Sequence, residues 1–144
     1  VASLLAHGAD LNAPVAKATP ARRVSADYAL GVPLVGATPI WLSARFSEPD
    51  IVKILADAGA DAGFVMSDGT TLWMAPLLVA AGTSGDQKVG PAITERLMLD
   101  TLQEVARRRP VVDGVDRRGN TALHLAASRG LVEIAAFLVE HGAD

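Results

Sequence analysis

Cysteine is absent from this chain of 144 residues. That excludes a disulfide framework, a thiolate nucleophile and any cysteine-ligated metal, and it is compatible with any compartment. Aromatic residues are scarce, at 4%, although half of the residues are apolar. The apolar mass is therefore mostly Ala, Leu and Val, which suits closely packed helices. No apolar run reaches the roughly 18 residues that span a bilayer. A large charge excess of either sign is also missing: 16 acids against 13 Lys and Arg leave a net charge of −3. Nothing global therefore draws the chain to nucleic acid or to an anionic membrane. The length allows one domain with a core. A signal-peptide pattern is lacking too.

What is present is repetition. "HGAD" occurs at 7–10 and at 141–144, and a related "LADAGAD" at 55–61. Residues 38–61 align without a gap on residues 121–144. Thr38 then meets Thr121, Ala44 meets Ala127, Leu55 meets Leu138 and Gly59 meets Gly142. Each copy reads as a helix, a short turn, a second helix and a glycine stop. Thr121 is expected to cap a first helix. Ser47, Glu48 and Pro49 read as a second-helix start, with Ser47 as the capping hydroxyl. Ile51, Ile54 and Leu55 share one face at helical spacing. Gly59 and Gly142 stand where a helix end needs a left-handed residue.

The segment "DRRGNTALHLAASRGLVEIAAFLVEHGAD", 116–144, resembles a nearly complete ankyrin repeat. The resemblance implies an all-α solenoid of helix-turn-helix units with β-hairpin-like fingers and a period of about 33 residues. The stops lie 51, 50 and 33 residues apart, at Gly8, Gly59, Arg109 and Gly142. Only the last interval fits the period. The chain therefore divides into a partial repeat at 1–13, a long finger insertion at 14–37, a repeat at 38–61, a repeat at 62–112 with an insertion at about 82–93, and a repeat at 113–144. In the middle repeat about four residues are expected before Ala75 and about thirteen more around 83–93. Leu97, Met98, Thr101, Leu102 and Val105 supply the face of its second helix, which Pro110 ends. In all this makes about three and a fraction repeats. The ends carry no visible cap, so the chain is expected to be a monomeric segment of something longer.

The residues that suggest chemistry read better as architecture. His7 and His141 occupy the same position in different repeats, and in a solenoid each repeat touches only its neighbours. They are not expected to share a metal. His124 belongs to the Thr-x-x-His helix start, which in the family hydrogen-bonds between neighbouring hairpins. Asp10, Asp61 and Asp144 fit turn chemistry. No phosphate loop, HExxH or GxSxG occurs. No catalytic residue, cofactor site or metal site is assigned, and no small-molecule substrate is expected.

By the same resemblance, first helices and fingers form a concave face that binds a partner protein. Aromatic and Arg anchors dominate such surfaces, so the candidates are Arg22, Arg23, Tyr28, Trp41, Arg45, Phe46, Trp73, Arg117, Arg118 and Arg129. For Trp41 a second reading stands: burial against the long finger, covering Tyr28. The arginines at 107–109, 117 and 118 read either as a patch for an acidic partner or as ordinary helix-end and hairpin charges. The expected function is non-catalytic protein binding; the alternative is a scaffold or regulatory arm of a larger, enzymatic chain. An enzyme in its own right would need a site built from both insertions, which offer Asp27 and Asp86 but no His or Cys.

Overall fold

The computed structural model describes residues 1–18, 34–78 and 94–144. Arg22, Arg23, Tyr28, most of the 14–37 insertion and the insertion at 82–93 lie outside the described residues. The described residues are all-α: α1 (Ala2–Ala6), α2 (Pro39–Arg45), α3 (Pro49–Asp57), a 3-10 helix (Ala75–Leu78), α4 (Glu95–Ala106), α5 (Ala122–Ser128) and α6 (Val132–Glu140). Among them the one β feature is an isolated antiparallel bridge between Val65 and Thr71.

Local chemistry sets these boundaries. Thr121 Oγ1 accepts from the His124 amide, and the His124 ring bonds back to the Thr121 backbone, closing a capping box. Thr94 Oγ1 accepts from the Leu97 amide at 3.2 Å and starts α4. Pro49 opens α3 at a position where no N–H is needed. Left-handed residues end the second helices: Gly8, Gly59 and Gly142 have φ of 80°, 97° and 91°. After each, an alanine amide bonds back to the helix, as from Ala60 to Leu55 O and from Ala143 to Leu138 O.

The helices pack in two rows. α2, the 3-10 helix and α5 touch in sequence, as do α3, α4 and α6, and each pair also packs across the rows. Between the rows lie Ile40, Ala44, Val52, Met74, Leu77, Met98, Leu102, Val105, Ala126, Ile134 and Leu138, all fully buried. Each large apolar side chain removed from water contributes about 1.5–3 kcal/mol. Burying Met98, Thr101, Leu102 and Val105 confirms the expected face of α4, while Leu97 is only half-buried and Leu99 takes a buried place.

The finger register is the same three times. The amides of Val15, Met66 and Asp116 donate to the carbonyls of Ala37, Thr70 and Asn120 at 2.9, 2.9 and 3.0 Å. Three residues separate the partners in the second and third fingers, and twenty-one in the first. The eighteen additional residues are therefore inserted between paired positions, and the pairing survives them.

Two local expectations are corrected. Ser47 does not cap α3: the cap position is Glu48, without a side-chain bond. Ser47 instead occupies the interhelix turn at φ 54°, where the aligned residue is Gly130 at φ 68°. The turn demands a left-handed residue, and that overrides the hydroxyl's capping preference. Second, no residues are added before Ala75. The Ala75 amide donates to Thr71 O, as Leu42 does to Thr38 O and Leu125 to Thr121 O, so the helix start is in register. From capping Thr to the next cap is ten residues in the outer pairs, Thr38 to Glu48 and Thr121 to Leu131, and twenty-three from Thr71 to Thr94. The interval between the two caps is thus thirteen residues longer in the middle pair. The other four lie between cap and stop of the second helix: Thr94 to Arg109 is fifteen residues, against eleven from Glu48 to Gly59 and from Leu131 to Gly142.

Candidate partner-binding surface

The fingers are locked to one another by backbone bonds. The Arg117 amide donates to Asp68 O at 2.9 Å, and Arg117 Nη2 to Ser67 O at 2.8 Å. Asn12 Oδ1 accepts from the Asp61 amide at 3.0 Å, and Asp113 Oδ1 from the Asp144 amide at 3.1 Å. Gly69 has no room for a side chain, since a Cβ would meet Val115 O at 2.7 Å. A surface built on such fingers is ordered before any partner arrives.

The tips carry turn chemistry. Asp68 Oδ1 accepts from both the Thr70 amide and its hydroxyl. Asp116 Oδ1 accepts from the amides of Arg118 and Asn120. Asp10 and Asp61 each accept from the amide two residues on. His7 and His141 also share one role, with Nδ1 at 2.7 and 2.8 Å from the carbonyls of Ser3 and Phe137. A carbonyl only accepts, so Nδ1 carries the proton and each ring ties off its own helix end. His124 serves its own capping box and makes no bond to a neighbouring hairpin among the described residues. Among those residues no group of three His, Asp or Glu is placed to hold a metal ion.

The structure separates the candidate anchors. Trp41 and Trp73 are each 2% exposed. They are core residues, and neither presents its indole to a partner, which corrects their placement on an accessible face. Trp41 takes the helix position that His124 holds in α5. An indole cannot return the capping bond, and Thr38 Oγ1 and Trp41 Nε1 are both buried without a partner among the described residues. Met74 stands at the same position of the middle pair, and there Thr71 Oγ1 is likewise alone. Trp73 Nε1 donates to Pro110 O at 3.1 Å.

The other described candidates keep some exposure. Phe46 is 42% exposed, and Arg117, Arg118 and Arg129 are exposed. Arg45 is half-buried, its guanidinium carbon 5.8 Å from the Trp41 ring centre. Burial, and then the charge of Arg129, lower its pKa, while Asp68 pulls the other way. A guanidinium remains protonated throughout, so this side chain is a fixed cation at the end of α2, backed by an aromatic ring.

Residues 118–144 match the family model described as ankyrin repeat. Repeats of this family are generally protein–protein interaction modules and are typically non-catalytic. Among the described residues no helix is long and apolar enough to cross a membrane. The match falls on the capped α5, the αL turn at Gly130, α6 and the Gly142 stop, and it identifies the chain as a carrier of the ankyrin repeat.

Proposed function

We propose that the chain is a solenoid of three and a fraction ankyrin repeats and acts as a non-catalytic module that holds a partner protein on its fingers and first helices. The repeat boundaries are those drawn from the stops, with units at 38–61, 62–112 and 113–144 behind a partial repeat at 1–13. The observation that carries this reading is the finger locking, above all the Arg117 amide on Asp68 O across neighbouring fingers. Preorganisation lowers the ordering cost of association. Phe46, Arg45, Arg118 and Arg129 are the contacts on that face, with Trp41 beneath as their support. Arg22, Arg23 and Tyr28 remain sequence-level members of the same set.

A photo-reactive amino acid placed at Phe46 or at Arg118 tests the assignment, with Arg96 as the control. Arg96 is 73% exposed on α4, in the row of second helices. Cross-linking in lysate should give the same partner band from positions 46 and 118 and none from 96. Bands from 96 alone would place the partner on the other row and sink the reading.

A further inference from the structure

The departures of the middle pair from its neighbours converge on one place. An open groove of about 830 Å³ lies between the C-terminal ends of α4 and α6. Gln103, Ala106 and Arg107 form its wall, all on the lengthened α4. Arg109 and Pro110 form one end, and Phe137 and His141 the aromatic side, with the buried Trp73 behind them. The Phe137 and His141 ring centres are 4.1 Å apart, and that of Trp73 is 6.5 and 6.1 Å from them.

Arg109 is the telling residue. The other three stops use glycine at this position, and Arg109 adopts the same left-handed backbone at φ 49°. Pro110 follows where Ala60 and Ala143 donate a helix-closing bond, and proline has no amide to donate. The chain thus gives up a strain-free residue and a hydrogen bond together. A left-handed non-glycine residue is strained, and persistent strain of this kind points toward use. The Arg109 guanidinium has no ion pair among the described residues. Arg108 is turned away to Asp57, and Arg107, itself 63% exposed, has one contact at 3.4 Å with the largely covered Glu104. Two guanidinium groups therefore rim an aromatic trough with no carboxylate among its lining residues.

We infer that this groove is a second docking site, for an acidic peptide segment carrying an aromatic side chain. The ring stacks on Phe137 and His141 at offset geometry, and flanking carboxylates take the paired N–H donors of Arg107 and Arg109. The volume fits one large side chain and its neighbours. An open trough suits a segment that passes through. The site is distinct from the finger face, so its fate and that of the finger-face reading are separable.

The test is fluorescence polarisation of the full chain with a fluorescein-labelled Gly-Asp-Glu-Phe-Glu-Asp-Gly peptide, alongside NMR of the two indole N–H signals. Binding should move the Trp73 indole, which donates to Pro110 O at the groove edge, and leave Trp41 in place. Arg109→Gly restores the residue used at the other stops, so the fold is kept. It should weaken binding about tenfold, as expected for one charge-assisted pair. Phe137→Leu keeps apolar bulk without the ring and should weaken binding as well, whereas Val132→Ala, 75% exposed at the other end of α6, should change nothing. The inference is overturned by any of four results: no binding, unchanged affinity in Arg109→Gly, equal binding of a peptide with Lys in place of its acids, or movement of Trp41 instead of Trp73. Saturation of the groove by phenylacetate with no peptide binding would likewise overturn the peptide assignment.

Discussion

The middle helix pair and the last one start from a threonine at the same position and end in different chemistry. The last pair satisfies each local signal. Thr121 and His124 cap reciprocally, Gly130 takes the left-handed turn, and Gly142 and Ala143 close α6. The middle pair meets few of them. Thr71 lacks a partner for its hydroxyl, the first helix is a 3-10 segment, and Arg109 and Pro110 replace the glycine and alanine of the stop. Yet the middle pair is the better buried. Residues 71–77 are buried without a break, and α4 packs on α3, α6 and the 3-10 helix. Tertiary packing on both sides replaces what the local sequence omits. In the last pair the local signals are complete, while Val132 and Val139 stay 75% and 56% exposed.

Core truncation should break the symmetry most strongly. Leu102→Ala and Leu138→Ala each leave a cavity worth about 2–5 kcal/mol. Leu102 belongs at the upper end, because α4 is held between two second helices while α6 has one such neighbour among the described residues. Urea unfolding checks the order, and an equal or reversed order would remove the claim that central packing compensates. Cap removal should act in the opposite sense. Thr121→Val deletes a working cap and costs about 1 kcal/mol. Thr71→Val removes a buried hydroxyl that has no partner, keeps the shape, and should be nearly neutral. Equal losses in both variants would show that Thr71 caps after all.

Why the last pair was readable and the middle one only in part follows from these same residues. Thr121, Gly130 and Gly142 each fit their position through intrinsic backbone or capping preference, so the fold there could be read from residue types. The same holds for the face of α4. Ser47 was misread because a serine before Glu-Pro has a valid capping role, and only the aligned Gly130 reveals that the turn is left-handed. The four residues between Thr94 and Arg109 were misplaced because "APLLVAAG" imitates a helix start, and a hydrogen bond, Ala75 to Thr71, decides the register. Trp41 and Trp73 look like anchors by composition. Burial is set by the neighbouring row, which no single segment encodes. The groove was not foreseen at all, though Arg at a glycine stop was the signal that could have found it.

The smallest expected difference is in acid, and it distinguishes how the two regions are tied. The Lys53 hydrogen bond and then Arg108 hold the Asp57 carboxyl below the ordinary range, against an opposing effect of desolvation. The amide of Asn120 and then its side chain do the same for Asp116, helped by the Arg118 amide. Both pKa values are depressed, so each carboxylate stabilises the fold above its unfolded value of about 3.9 and ceases to do so as pH falls through the folded value. Melting temperatures of Asp57→Asn and Asp116→Asn should therefore lie below wild type at neutral pH, with the gap closing below about pH 4. A gap that persists unchanged to lower pH would rule out the ionised carboxylate as its source. Salt should then separate the two. Asp57 joins α3 to the end of α4 through exposed ion pairs, which 1 M salt screens to about 3 Å. Asp116 is held first by neutral donors within its own finger turn. The Asp57→Asn gap should shrink in 1 M salt and the Asp116→Asn gap should largely remain, because the middle pair is tied to its neighbour by charge and the last finger by hydrogen bonds of its own.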